Sequence, residues 1–356
     1  MDSSDEHGGA ENLLSWDGLG VAVLDAPALL GNLEKKLSAD ALIDLRSPLL
    51  SDLAGLLCPE WMRRGVSGYL IGSGFPGPNS PQAGFRGHLL PPFDTEQLRE
   101  AVRNGIVPVL GHTGEAIFAS NEAQALGFSH PVMIRLRSGD LLIDAGPTGP
   151  MPLLEMIPGL PMIEPIGFLL DEPFTGRAQC DQLSRALSRL LPEARGLSLI
   201  GGGNGPLPQR LTALPVIDDR ILGLSPSDGS MTATLTIRVW GLPTAARENS
   251  FLVAVDLGSR DGIPAAARPQ LLVAGEAGRV VEVGERRLLV ELSERPVLPS
   301  PWPVTLLGSA GAATVSPAEW PENGLYEWIW RLRRRIPFFL RGWKDNRTGQ
   351  PIRLCS

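Results

Sequence analysis

The chain has 356 residues, 43% of them hydrophobic and 20% charged, which suits two domains with ordinary buried cores. Its net charge of -7 argues against sequence-independent nucleic-acid binding, although a local basic patch is not excluded by a net value. Cys58, Cys180 and Cys355 are odd in number and far apart, so they form neither a disulfide framework nor a zinc pattern.

Residues 1–12 are polar and acidic, with no basic start and no apolar stretch, and read as a disordered tail rather than a signal peptide. No uncharged apolar run reaches the ~18 residues of a membrane span. These features together predict a reduced, cytoplasmic protein. From residue 18 to about 225, short apolar runs alternate with helical patterns. The runs at 20–24, 41–45, 66–71, 107–110, 132–136, 166–170 and 197–200 are continuous, as strands buried on both faces are. The clearest helix is 175–191, where Leu183, Ala186, Leu187, Leu190 and Leu191 share a face. Thr175 is its expected N-cap and Pro192 its stop. Seven or eight such βα units predict an α/β fold, a (β/α)8 TIM-type barrel spanning 13–226.

The texture changes after Pro226. Runs at 232–240, 251–257, 270–273, 278–283, 287–292 and 304–307 are separated by Gly, Pro and charged turns, with no helix between them. They predict an all-β domain over 227–345, followed by a tail at 346–356. One late helix, 323–334, carries the stripe Leu325, Trp328, Ile329 and Leu332 and ends before Pro337. The stretch 328–343 is rich in Trp, Phe and Arg, and its two readings are a membrane-surface helix and a buried C-terminal segment.

Several stretches resemble the alanine racemases, a fold-type III family dependent on pyridoxal phosphate (PLP). Leu24-Asp25-Ala26 leading to Asn32 resembles the family's opening strand and helix. Gly65-Val66-Ser67-Gly68-Tyr69 resembles its next strand, 161–174 its central strand, and Ile221-Leu222-Gly223-Leu224 the segment leaving the barrel. Gly258-Ser259-Arg260-Asp261-Gly262 resembles the family's GYADGYP turn and Gly278-Arg279-Val280 its GRV strand. Val304-Thr305-Leu306-Leu307-Gly308, then Leu325-Tyr326-Glu327 and Arg335-Ile336-Pro337, are similar to the VTLLG, NYE and RVPR ending, in order and spacing. The resemblance spans roughly residues 18–340 and favours the buried reading of 328–343.

The resemblance implies a lysine that holds PLP as an imine, in a motif like AVVKANAYGHG. Here Asp44 stands at that place, and a carboxylate forms no imine. The chain's lysines are Lys35, Lys36 and Lys344. The family's second base is a tyrosine expected between Trp240 and Gly258, and that stretch has none. The arginine beside the cofactor's phenolic oxygen aligns near Leu142, and the phosphate-side Arg and Tyr align near Val216 and Leu222. Tyr326 matches a family tyrosine that contacts the cofactor phosphate, or is simply a packed helix residue.

Other candidates lie at strand ends. Gly201, Gly202, Gly203, Asn204 and Gly205 follow a strand and match the family's phosphate-facing segment, so their N–H groups are candidates to cradle an anion; a plain turn is the alternative. His112, Asp44, Arg46 and Arg135 form a candidate polar cluster at the barrel mouth, though polar strand ends also occur without function. No catalytic residue and no metal site is assigned. Three functions follow: a non-catalytic relative acting as a binding or assembly module, a PLP racemase with rearranged catalytic residues, or new chemistry in the mouth using Asp44 and His112. The first expects no cofactor, with PLP lacking its imine lysine as the family-implied alternative. The expected partner is a second copy of the chain, since the family forms head-to-tail dimers; an unidentified protein or a small anionic ligand is the other option.

Overall fold

The computed structural model describes residues 19–37, 40–72, 86–136, 150–171, 177–192, 196–201, 207, 210–224, 231–247, 250–310, 312–321, 325–344 and 351–354. The chain divides into two compact units, Leu37–Asp218 and Met1–Lys36 with Asp219–Ser356.

The first unit is a ring of parallel strands. In order around it run Ala41–Asp44, Val66–Ile71, Arg86–Leu89, Val107–Leu110, His130–Leu136, Ile163–Leu170, Leu197–Ile200 and Leu211–Leu214. Pro215 then breaks the last strand, because it has no N–H to donate. Its carbonyl accepts from the Leu42 N–H at 2.8 Å, and Val216–Ile217 pairs with Ala41–Asp44, bringing the sheet back to its first strand. Alternation sorts side chains to the two faces. Leu42, Leu70, Val109, Met133 and Ile200 form one apolar cluster, with Leu169 against it. Their strand neighbours Val132, Ile134, Phe168 and Leu170 join another, which includes Ala116, Ala119 and Ala123 of the helix Thr113–Leu126. The first cluster fills the ring as side-chain layers fill TIM-type barrels; the second is the strand–helix layer.

Helix starts follow from local chemistry. Ser47 caps Pro48–Arg63, accepting from the Leu50 N–H, with Pro48 at the position where a missing N–H costs nothing. Asp94 and Gln97 form a capping box on Thr95–Arg103. The helix Arg177–Leu190 buries Leu183, Ala186 and Leu187, followed by Leu191 and Pro192; the expected cap Thr175 lies outside the described residues.

The second unit is a ten-stranded, mostly antiparallel sheet. Gly20–Asp25, expected as the first barrel strand, lies inside it, antiparallel to Leu235–Arg247 and parallel to Phe338–Lys344. The boundary expected at Pro226 is therefore drawn differently, with segments that precede and follow Leu37–Asp218 in sequence both contributing to this sheet. Asn32 fixes the following helix Ala26–Lys36: its amide donates to the Ile221 and Thr232 carbonyls and its oxygen accepts from the Thr232 N–H. The remaining strands are Ser250–Val255, Gln270–Val273, Glu276–Val283, Leu288–Leu292, Trp302–Ala310, Ala313–Val315 and Pro351–Leu354. The late helix runs Leu325–Leu332 and buries Leu325, Trp328, Ile329 and Leu332. With Ile336, Phe338, Phe339 and Leu340 also buried, this stretch is core rather than an amphipathic surface. Among the described residues no helix is long and apolar enough to cross a membrane.

Candidate functional site

All strands of the ring point the same way, so their C-terminal ends share one rim, where TIM-type barrels place their chemistry. Asp44 ends its strand there, and Arg46 folds back on it. The Arg46 Nε donates to Asp44 Oδ1 at 2.8 Å and Nη2 to Oδ2 at 2.6 Å, while the Arg46 N–H donates to Oδ1 at 3.1 Å. This forked contact raises the Arg46 pKa, against an opposing effect of burial. The Arg46 stem lies beside Gly72, at the end of the next strand, where a Cβ would be 3.6 Å from Arg46 Cγ, an ordinary packing distance.

Two strands further round, His112 caps the helix Thr113–Leu126. Its Nδ1 accepts from the Glu115 N–H at 3.3 Å, and Nε2 lies 3.3 Å from Glu115 Oε1. A neutral imidazole with its proton on Nε2 satisfies both contacts. The other Glu115 oxygen accepts from the Gly111 N–H at 2.6 Å and the His112 N–H at 3.3 Å. Next to it, the Arg135 Nε donates to both Asp171 oxygens at 2.9 Å, and Nη2 reaches Oδ2 at 2.8 Å. Gly111 joins these two groups, since a Cβ on it would lie 3.6 Å from Glu115 Oε2 and 3.9 Å from Arg135 Cδ.

The expected cluster therefore resolves into separate pairs. The described contacts bring Arg135 near the His112–Glu115 cap, whereas Asp44 is joined to Arg46 and no described hydrogen bond links it to His112 or Arg135. Glu115 and Asp171 were missed from sequence, although each follows a strand end. Gly201 has a backbone reason of its own: its φ is +86°, and a Cβ would meet the Leu170 carbonyl oxygen at 2.4 Å. Gly202, Gly203 and Asn204 lie outside the described residues. Tyr326 is half-buried in the first turn of Leu325–Leu332, in the other unit. Among the described residues no group of three or more His, Cys, Asp or Glu is placed to hold a metal.

PLP held as an imine does not fit the ring. Leu37–Asp218 contains no lysine. Lys35 and Lys36 are exposed at the end of Ala26–Lys36, and Lys344 ends the strand Phe338–Lys344, all in the other unit. On the rim, Arg46 and Arg135 each already face a carboxylate. The stretch expected to hold a second base is taken up by the hairpin of Leu235–Arg247 and Ser250–Val255, with Arg247 opposite Ser250.

No family model matches the sequence, and no curated protein matches it. Solved structures do. The alanine racemase of Streptomyces coelicolor A3(2) superposes with a TM-score of 0.68 at 16% identity, over 91% of this chain and 98% of that one. The alanine racemase of Clostridium difficile 630 gives 0.67 at 14% identity, over 95% and 98%. The histidine racemase of Leuconostoc mesenteroides subsp. sake NBRC 102480 gives 0.63 at 13%, over 91% and 98%. These identities speak for architecture alone, and the architecture is unambiguous: the chain has the alanine racemase fold, a parallel barrel and a unit built on an antiparallel sheet.

Proposed function

We propose that this chain is a non-catalytic member of the alanine racemase-like family, acting as a binding or assembly module. The observation that carries the reading is the barrel unit without a lysine, its strand-end Asp44 locked to Arg46. Racemisation at an amino-acid Cα needs an activating carbonyl group and acid–base groups on two faces. Asp44 offers no amine, and both ring nitrogens of His112 are engaged by Glu115. New chemistry built on Asp44 with His112 is disfavoured for the same reason. The working unit in this reading is a homodimer, as the fold's structural motifs are retained while the positions for chemistry are replaced.

The test is direct. Purified protein is incubated with PLP, reduced with borohydride and weighed intact. The expected outcome is no stoichiometric pyridoxyl adduct and no absorbance of an internal aldimine. A single adduct on one defined lysine overturns the reading.

A further inference from the structure

The strand Arg86–Leu89 turns the His88 side chain to the interior of the ring. His88 is in register with Leu70 on one side and Val107 on the other, both members of the interior cluster, and Leu90 belongs to the same cluster. Its side chain is buried, and its Nδ1 has no partner among the described residues.

The two seams beside this strand are laced unequally. Towards Val66–Ile71 the register runs from Gly68 opposite Arg86 to Ile71 opposite Leu89, and the Leu90 N–H then donates to the Ile71 carbonyl at 2.8 Å. Towards Val107–Leu110 the register comprises His88 with Val107 and Leu89 with Pro108. Pro108 has no N–H to give. Just before that strand, the Ile106 N–H donates to the Ala101 carbonyl and the Ile106 carbonyl accepts from His130 Nε2, so neither serves Arg86–Leu89.

No carboxylate answers a proton on His88. Leu70 faces it from one neighbouring strand, and Val107 and Val109 come from the other. Alternation puts Asp44, Arg86 and Arg135 on the same inner face. Asp44 is held by Arg46 and Arg135 by Asp171. Arg86 is exposed, and its charge opposes the proton. His130 shares the outer face of its strand with Val132 and Ile134. A charged imidazole in such surroundings needs water, and the lightly laced seam is where water enters most easily.

We propose that the seam between Arg86–Leu89 and Val107–Leu110 is an acid-operated gate: a proton on His88 parts these two strands while the rest of the ring stays closed. Burial holds His88 neutral in the closed ring, with a pKa of about 4, whereas the open seam lets it titrate nearer its ordinary value, so falling pH favours opening. The parted strands uncover Leu70, Val107 and Val109, an apolar surface presented only in acid. The gate is independent of whether the rim does chemistry.

The test is hydrogen exchange of the full chain read by mass spectrometry at about pH 7 and about pH 5, corrected for the intrinsic pH dependence of exchange. Peptides covering 87–90 and 107–110 are expected to lose protection by roughly tenfold or more at the lower pH, while those covering 132–136 and 167–170 keep theirs. In His88→Leu the seam is expected to exchange alike at both values; His88→Gln serves if that variant does not fold. Equal loss around the whole ring, no loss at the seam, or the same loss in the variant overturns the proposal.

Discussion

His88 is on the strand Arg86–Leu89, only 3% exposed, and its Nδ1 has no partner among the described residues. Burial pushes its pKa down to about 4, outweighing hydrogen bonds with the Tyr69 and Arg86 backbone, and the Arg86 charge adds to the fall. In the unfolded chain the imidazole takes up its proton near pH 6.5. Between these values the unfolded state binds more protons, so stability is full above pH 6.5 and drains away as pH falls towards 4. The loss on complete protonation is on the order of 3 kcal/mol. Urea midpoints measured across this range are expected to fall for the natural chain and to stay flatter for His88→Leu. Parallel profiles would sink this account. Arg335 makes a second residue-scale case. Its guanidinium donates to Asp261 at 2.9 and 3.0 Å and to Asp256 at 3.0 Å, and the Asp261 carboxylate, 6% exposed, also accepts from the Gly258 N–H. Arg335→Ala leaves that carboxylate without its cation, and the expected cost is about 3 kcal/mol in urea denaturation. Arg335→Lys, which keeps the charge but not the fork, is expected to lose less.

That pair also ties together two stretches far apart in sequence. The turn at 258–262 and the ending at 335–337 are bound to each other, and Gly262 at φ +91° sits against the Trp328 Cα, where a Cβ would come within 3.2 Å. The buried stripe of Leu325–Leu332 was legible because its period matches a helix, and the strand runs were legible because each is mostly apolar. Two barrel strands were not. Arg86–Leu89 carries an Arg and a His, and Leu211–Leu214 is cut from Val216–Ile217 by Pro215, so neither reads as an apolar run. Glu115 and Asp171 escaped notice because a strand end gives a place and no partner. The placement of Gly20–Asp25 was equally hidden, since an apolar strand does not announce its neighbours. Between two partner strands, its amide groups are shielded on both sides. Hydrogen exchange should therefore find the Ala22 and Leu24 amides among the slowest of that unit; exchange as fast as at an edge strand would contradict the pairing.

At the scale of the whole molecule, the proposed homodimer predicts a light-scattering mass of twice 38.1 kDa at micromolar concentration, and a clean monomer would refute it. The sheet unit is assembled from both sides of the barrel sequence, and this sets the order in which synthesis can complete it. Leu37–Asp218 emerges from the ribosome as an uninterrupted stretch, able to close its ring while translation continues. Gly20–Asp25 emerges earlier and must wait, because its unit is tied together by contacts 200 to 316 residues apart. At ~5–20 residues per second the wait is roughly ten to sixty seconds. Throughout it, a short apolar strand with two open edges precedes a finished barrel, the kind of segment that nascent-chain chaperones shield. The oldest strand of the sheet is thus a late one to be secured, and a slowed ribosome lengthens the period in which it can pair with the wrong neighbour.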